Sequence, residues 1–137
     1  MEKQSKTELD TKGKTLLHYL VKKIPTVEVE IPSSFPTYSE VVEDLSLPAG
    51  RAGNVVQQNG MNTLVDWLKQ NSLPAISGLI VTKAKSIPGE GFFSAYQRSP
   101  EDREWWKQEV RRVKEFDWSS VLLRFHSNES WTARGYN

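Results

Sequence analysis

The sequence contains no cysteine, and its 137 residues carry a formal net charge of only +1. The absence of cysteine excludes disulfide bonds, cysteine nucleophiles and thiolate metal sites, and it fits a reducing cytoplasm. The near-neutral charge argues against a strongly electrostatic nucleic-acid binder, because such proteins are usually clearly basic. No apolar run approaches the roughly 18 residues of a membrane span, and the polar start lacks the apolar segment of a signal peptide. We therefore expect a cytoplasmic protein with no membrane partner.

The composition predicts one folded unit. Hydrophobic residues make up 37% of the chain and charged residues 26%, which is typical of soluble globular proteins rather than disordered ones. A chain of this length can bury a hydrophobic core without disulfide bonds or a structural metal. We expect residues 1–13 to form a flexible N-terminus, residues 14–125 a single α+β domain, and residues 126–137 a tail.

The spacing of apolar residues predicts both helices and strands. Helical spacing occurs at residues 14–24, 38–46, 62–71 and 100–116. Residues 26–31 alternate apolar and acidic side chains, residues 75–83 form a buried apolar run, and residues 118–125 fit a strand or a short helix. A Pro-Gly turn at residues 87–92 would close a hairpin or wing. The predicted fold is therefore α+β, with a small sheet packed against helices and a winged-helix-like centre.

Residues 37–58 predict two short helices joined by a turn. Thr37 and Glu40 have the spacing of a capping box, and the turn Leu-Pro-Ala-Gly is followed by a second helix that opens at Arg51. Such a pair can place its second helix in a DNA groove, where the small side chains of residues 52–54 would permit close approach. The same pattern fits an ordinary helix pair in which the glycines permit a turn and Arg51 is solvated.

Residues 36–92 resemble the winged-helix half of the alkylguanine-DNA alkyltransferases and of their catalytically dead alkyltransferase-like relatives. Thr37 and Tyr38 match the family's Thr-Tyr-Gly opening, and Arg51 and Ala52 match the Arg-Ala of its recognition helix. The segment "ISGLIV" falls where the family has Pro-Cys-His-Arg-Val-Val. The resemblance implies binding of double-stranded DNA, with Tyr38 at the phosphate backbone and Arg51 filling the base stack when a nucleotide is flipped out.

Three departures from the family's pattern argue against alkyl transfer. Ser77 stands where the family has its alkyl-accepting cysteine, and Gly78 and Leu79 replace the histidine and arginine that follow. The second glycine of the recognition helix is displaced or replaced by Asn54. The resemblance therefore implies a non-enzymatic DNA-binding protein. Its implied DNA-binding residues are Tyr38, Arg51, Ala52, Gly53 and Asn54.

Residues 103–118 mix basic and aromatic side chains. The pattern fits either a solvated helix face with ion pairs, such as Glu104 with Lys107, or a surface that contacts a partner. Helical spacing places Trp106 on a buried stripe and turns Trp105 towards a flank, where an aromatic side chain can anchor an interface. Arg111 lies on a basic face of the same helix. Trp105 and Arg111 are therefore candidate partner-binding residues of a protein-interaction module, such as a small inhibitor or regulator encoded by a phage or mobile element.

The sequence offers little to support catalysis. Its two histidines, His18 and His126, are far apart and have no adjacent pair of acids, so no metal signature is present. No Gly-x-Ser-x-Gly nucleophile motif occurs, and the glycines of residues 87–92 lack the spacing of a phosphate-binding loop. We therefore expect no catalytic residues, no metal and no cofactor.

Overall fold

The computed structural model describes residues 9–128, which fold into α-helices joined by short turns. The helices are α1 (Thr11–Lys23), α2 (Tyr38–Asp44), α3 (Ala52–Val56), α4 (Asn62–Gln70), α5 (Glu90–Ala95), α6 (Arg103–Glu115) and α7 (Trp118–Asn128). Short 3-10 helices span Ile24–Thr26, Pro32–Ser34 and Ile76–Leu79, and a π-helical turn spans Gln57–Met61. The predicted limits of the flexible N-terminus, domain and tail stay predictions.

The predicted α+β class is wrong. Residues 9–128 contain no β-strand and no sheet, only isolated bridges between Glu28 and Ile31 and between Thr37 and Val81. The segment expected to form a wing is instead a loop that runs directly into α5. The fold is all-helical, and its centre has no winged-helix sheet.

The two segments that were predicted as strands, residues 26–31 and 75–83, adopt other conformations for local reasons. In residues 26–31, the Glu28–Ile31 bridge closes a turn, which the Ser34 hydroxyl holds by accepting from the Glu28 N–H at 2.8 Å and donating to the Ile31 carbonyl at 2.6 Å. Residues 76–79 are buried on every side as a 3-10 helix, and a short apolar run of this kind lacks a period that separates strand from helix. Residues 118–125 were predicted as a strand or a short helix, and the helix is confirmed, since they belong to α7.

The capping box at the start of α2 is confirmed. The Thr37 hydroxyl accepts from the Glu40 N–H at 3.2 Å, and the Glu40 carboxylate accepts from the Thr37 N–H at 3.1 Å. The backbone of residues 36–38 also pairs with Val81, which anchors α2 to the buried centre. The first residue of α2, Tyr38, therefore has a well-defined position.

The core forms where α1, α4 and α6 pack around residues 76–79. Trp106 is only 4% exposed, as its place on the apolar stripe of α6 predicts, and its indole N–H donates to the Gly78 carbonyl at 2.8 Å. Gly78 is required here, since a Cβ atom would lie 2.8 Å from the Phe92 ring. Trp67 of α4 is equally buried.

Candidate nucleic-acid interface

An open cleft of about 650 Å³ lies between the start of α2, the segment from α3 to α4, and residues 82–91. Twelve residues line it: Tyr38, Ser39, Ala52, Gly53, Asn54, Gln57, Gln58, Asn62, Thr82, Lys83, Gly89 and Gly91. Four of the five residues predicted to bind DNA are among them. The fold therefore brings together, in one concave surface, side chains from three separate parts of the chain.

Tyr38 lies at the boundary between the cleft and the core. Its ring is buried, and its hydroxyl oxygen accepts a hydrogen bond from the Gly89 N–H at 3.1 Å. Burial raises the pKa of Tyr38, and the Gly89 N–H lowers it by a smaller amount. At neutral pH the hydroxyl therefore keeps its proton, which it can donate to a phosphate oxygen that enters the cleft.

Arg51 is the N-cap residue of α3 and is exposed. Its side chain makes no hydrogen bond or ion pair within residues 9–128. It directly precedes Ala52 at the wall of the cleft but does not itself line the cleft. The guanidinium group is thus available to a ligand that extends beyond this rim.

Gly53 leaves the surface of α3 open. A Cβ atom built at Gly53 meets nothing within 4 Å, so the folded protein itself does not require glycine there. Gly50 is different, because its φ of +142° lies in a region that favours glycine and a Cβ would approach Val55 at 2.9 Å. Of the two glycines that flank the start of α3, only Gly50 is needed for the turn.

Four of the polar side chains that line the cleft end in amides, and only Asn54 among them was predicted from the sequence as a site residue. These are Asn54, Gln57, Gln58 and Asn62, hereafter the amide cluster. None of the four makes a side-chain hydrogen bond within the described part of the chain. Each therefore has free donors and acceptors for a ligand. The sequence feature that could have predicted this cluster is the high density of Asn and Gln in "NVVQQNGMN", residues 54–62.

The amide cluster forms because the chain kinks between α3 and α4. Gly60 has a φ of +126°, and a Cβ there would lie 2.6 Å from the Lys12 carbonyl oxygen of α1. The Asn59 side-chain amide donates to the Val55 carbonyl at 2.7 Å and closes the turn. Asn59 and Gly60 both have non-helical backbone angles, so the chain kinks within Gln57–Met61.

A smaller compartment of about 170 Å³ adjoins the cleft. The two share Tyr38, Gln57, Asn62 and Gly91, while Met61, Val65, Asp66, Phe92 and Ala95 line the compartment only. Its lining is therefore polar where it meets the cleft and largely apolar elsewhere. A flat, partly polar group would suit this combination.

The charge of the cleft is slightly positive. Among residues 9–128, Lys83 is the one charged residue that lines the cleft, and no carboxylate of this part of the chain does so. Asp66 lies in the adjoining compartment. An anionic ligand would consequently meet little repulsion in the cleft but also little long-range attraction.

Ser77, which stands at the position of the family's reactive cysteine, is fully buried. Its hydroxyl lies beside the Tyr96 hydroxyl, and no base among residues 9–128 forms a hydrogen bond to it. This environment does not favour nucleophilic attack by Ser77.

The two candidate partner-binding residues lie outside the cleft. Trp105 is half-buried among the rings of Phe92, Phe93 and Tyr96, and the Arg98 guanidinium lies 5.0 Å from its ring centroid. Arg111 forms an ion pair with Glu30 at 3.6 Å. The structure thus separates these residues from those predicted to bind DNA.

Comparison with protein-family models, with curated proteins and with solved structures finds nothing that matches this chain. Between residues 9 and 128, no helix is long and apolar enough to cross a membrane. The case for a function therefore rests on the geometry and chemistry of the cleft.

Proposed function

We propose that the protein is a non-enzymatic DNA-binding protein that contacts duplex DNA through the cleft and the adjacent Arg51. The observation that carries this proposal is the amide cluster. Within residues 9–128 its side chains have no hydrogen-bond partner, and they line an open cleft to which this part of the chain contributes no carboxylate. Asn and Gln side chains can pair with the edge of adenine through two hydrogen bonds. A cleft of this composition suits contact with bases as well as with phosphates.

The remaining residues of the cleft have complementary roles in this proposal. Tyr38 donates its hydroxyl proton to a phosphate, and Lys83 supplies a second phosphate contact. Gly53 allows the DNA backbone to approach α3 closely. Arg51 inserts into the base stack or lies along it, as the resemblance to the alkyltransferase-like proteins implies. The compartment beside Tyr38 then receives the base that is flipped out. None of these roles requires a sheet or a wing.

The test is fluorescence anisotropy of a labelled duplex at several salt concentrations. Arg51 and Lys83 each bring one positive charge against the DNA and displace counterions, so the logarithm of the association constant should fall with the logarithm of salt concentration with a slope of roughly −2. Replacing Asn54 and Gln58 by alanine should weaken binding. The matched control replaces Gln70 and Gln108, two exposed amides outside the cleft, and should leave binding unchanged.

Absence of wild-type binding at low salt would contradict the proposal. The protein-interaction module, such as a small inhibitor or regulator, would then be the better function. That alternative has one structural observation in its favour, a second groove with unpaired cations beside α6.

A further inference from the structure

The second groove runs beside α6, on a part of the surface that the cleft does not include. This α6 groove has a volume of about 180 Å³ and is lined chiefly by Glu30, Phe35, Lys85, Arg103, Trp106 and Lys107. Phe35 and Trp106 form its floor, with ring centroids 5.4 Å apart. The groove therefore combines an aromatic floor with charged walls.

The groove has three cations that find no partner in the described part of the chain. The side chains of Lys85, Arg103 and Lys107 form no ion pair or hydrogen bond with any residue from 9 to 128. The one carboxylate that lines the groove, that of Glu30, is already engaged by Arg111 at 3.6 Å. The groove thus concentrates positive charge in a protein whose formal net charge is only +1.

Beyond Glu30, the surface beside α6 carries side chains of both charge signs and an exposed apolar residue. A shallower depression of about 520 Å³ continues along α6 and is lined by Glu28, Ile31, Arg111, Lys114 and Glu115, among others. Ile31 is 50% exposed, which makes it one of the two large apolar side chains most open to solvent in the described part of the chain. Lys114 is engaged by the carbonyls of Ile24 and Val27, so its charge serves the fold.

We propose that the α6 groove is a docking site for a peptide segment of a protein partner, in which acidic residues flank one apolar side chain. The carboxylates pair with Lys85, Arg103 and Lys107, and the apolar side chain enters the groove above Phe35 and Trp106. Charge complementarity selects an anionic partner, and the small volume fits one side chain. A DNA backbone carries no apolar group of that size, so a peptide suits the aromatic floor better.

This proposal is independent of the proposed DNA binding, because the two surfaces share no lining residue. The residues that carry it differ from those expected from the sequence. Trp106 rather than Trp105 forms part of the groove, and Arg111 acts through its pairing with Glu30.

The test is nuclear magnetic resonance titration of the full chain with a peptide pool. Each heptapeptide in the pool has a central Phe, Leu, Ile or Trp and Asp or Glu at every other position. We expect concentration-dependent shifts of the Trp106 indole N–H and of the backbone amides of residues 85–87 and 103–107. A matched pool, in which Asn and Gln replace the acids, should produce no shifts there.

Two variants establish where the pool binds. Arg103→Glu together with Lys107→Glu should weaken binding roughly tenfold, since two favourable ion pairs become repulsive. The control, Lys12→Glu with Lys22→Glu, changes the net charge equally at exposed positions outside the groove and should leave affinity within about twofold. If the first variant has a changed amide spectrum, Arg103→Gln with Lys107→Gln replaces it.

Three outcomes would overturn the proposal. One is an acidic pool that produces no shifts around Trp106, and another is a free dicarboxylate such as succinate that reproduces the shifts at the same concentration. The third is a labelled duplex whose affinity falls as much with the Arg103 and Lys107 substitutions as with Arg51→Ala. The last result would assign the groove to the DNA-binding surface.

Discussion

The Tyr38 hydroxyl accepts a hydrogen bond of 3.1 Å from the backbone N–H of Gly89, a residue 51 positions further along the chain. This bond joins the first residue of α2 to the N-cap residue of α5. It holds two walls of the cleft together and sets the position of the Tyr38 hydroxyl between the cleft and the core. The same atom therefore serves the fold and, in the proposed function, a phosphate.

Tyr38→Phe should lower the free energy of unfolding by about 0.5–1.5 kcal/mol, because the Gly89 N–H loses its acceptor. Urea denaturation measures the change. Tyr19→Phe is the matched control, since its hydroxyl bonds to Asp44 at 2.7 Å on the surface, where water can replace it. An equal loss in the two variants would show that the Tyr38–Gly89 bond has no special structural role.

Arg51→Ala should weaken duplex binding by roughly 1–3 kcal/mol, the range expected for one good base-level contact. The melting temperature should not fall, because the Arg51 side chain has no hydrogen bond or ion pair with residues 9–128. Fluorescence anisotropy gives the affinity, and Lys22→Ala controls for the loss of one positive charge. Tyr38→Phe should have a smaller effect on affinity. Wild-type affinity in Arg51→Ala would exclude the proposed role of Arg51.

Gly53→Ala should stabilise the protein and weaken its binding to DNA. Alanine is favoured over glycine inside a helix by up to about 1 kcal/mol, and the added Cβ has free space at this position. The same Cβ would obstruct a DNA backbone that approaches α3. Thermal denaturation and anisotropy measure the two effects. A stabilised variant with unchanged duplex affinity would indicate that DNA does not approach Gly53.

Trp106→Ala should cost about 3–5 kcal/mol of stability, as is usual for a buried aromatic residue. Trp105→Ala should cost less, because this side chain is only partly buried at the edge of its aromatic cluster. In Trp106→Phe the Gly78 carbonyl loses its indole donor, so part of the loss should persist although the ring remains. Chemical denaturation measures the free energy of unfolding of each variant. Equal losses for the two alanine substitutions would contradict the assignment of Trp106 to the buried face of α6.

Tyr96 should make the protein less stable in strong base. Burial raises the pKa of Tyr96 to about 12, against a smaller lowering by the neighbouring Ser77 hydroxyl and with a minor increase from the charge of Glu109. An unfolded tyrosine titrates near pH 10. The folded state therefore holds this proton more tightly, so the associated stability is complete below about pH 10 and is lost as the pH rises towards 12.

Tyr96→Phe should flatten this part of the pH profile. The substitution should be close to neutral at pH 7, because among residues 9–128 the buried Tyr96 hydroxyl has only the Ser77 hydroxyl beside it and makes no hydrogen bond of good geometry. Unfolding free energies measured at intervals from pH 7 to 12 compare the two proteins. A wild-type profile that is retained in Tyr96→Phe would assign the effect to other groups.

Several features of the fold follow from local sequence. Thr37 and Glu40 cap α2 as their spacing predicts, since both partners of a capping box lie within one helical turn. The apolar stripe of α6 identifies Trp106 as a core residue for the same reason, because helical periodicity relates residues three or four positions apart. Patterns of this kind need no knowledge of the rest of the chain.

The sheet was wrongly predicted because residues 76–79 are buried on all sides. A segment without a polar face has no period, and its conformation is set by neighbours such as Phe92 and Trp106, which come from distant parts of the chain. Helix α5 was missed for a related reason. Its six residues are too few for a clear periodic pattern, and its position depends on the bond between Tyr38 and Gly89.

The cleft also depends on long-range packing. Tyr38 and residues 51–54 could be singled out from a short motif, whereas Thr82 and Lys83 join them only because Val81 pairs with the start of α2. Gln57 and Asn62 face the same space because Gly60 permits a kink against Lys12. Side-chain periodicity is a local property, whereas a concave surface forms only when distant segments pack together. The complete set of residues that line the cleft is therefore determined by the tertiary structure.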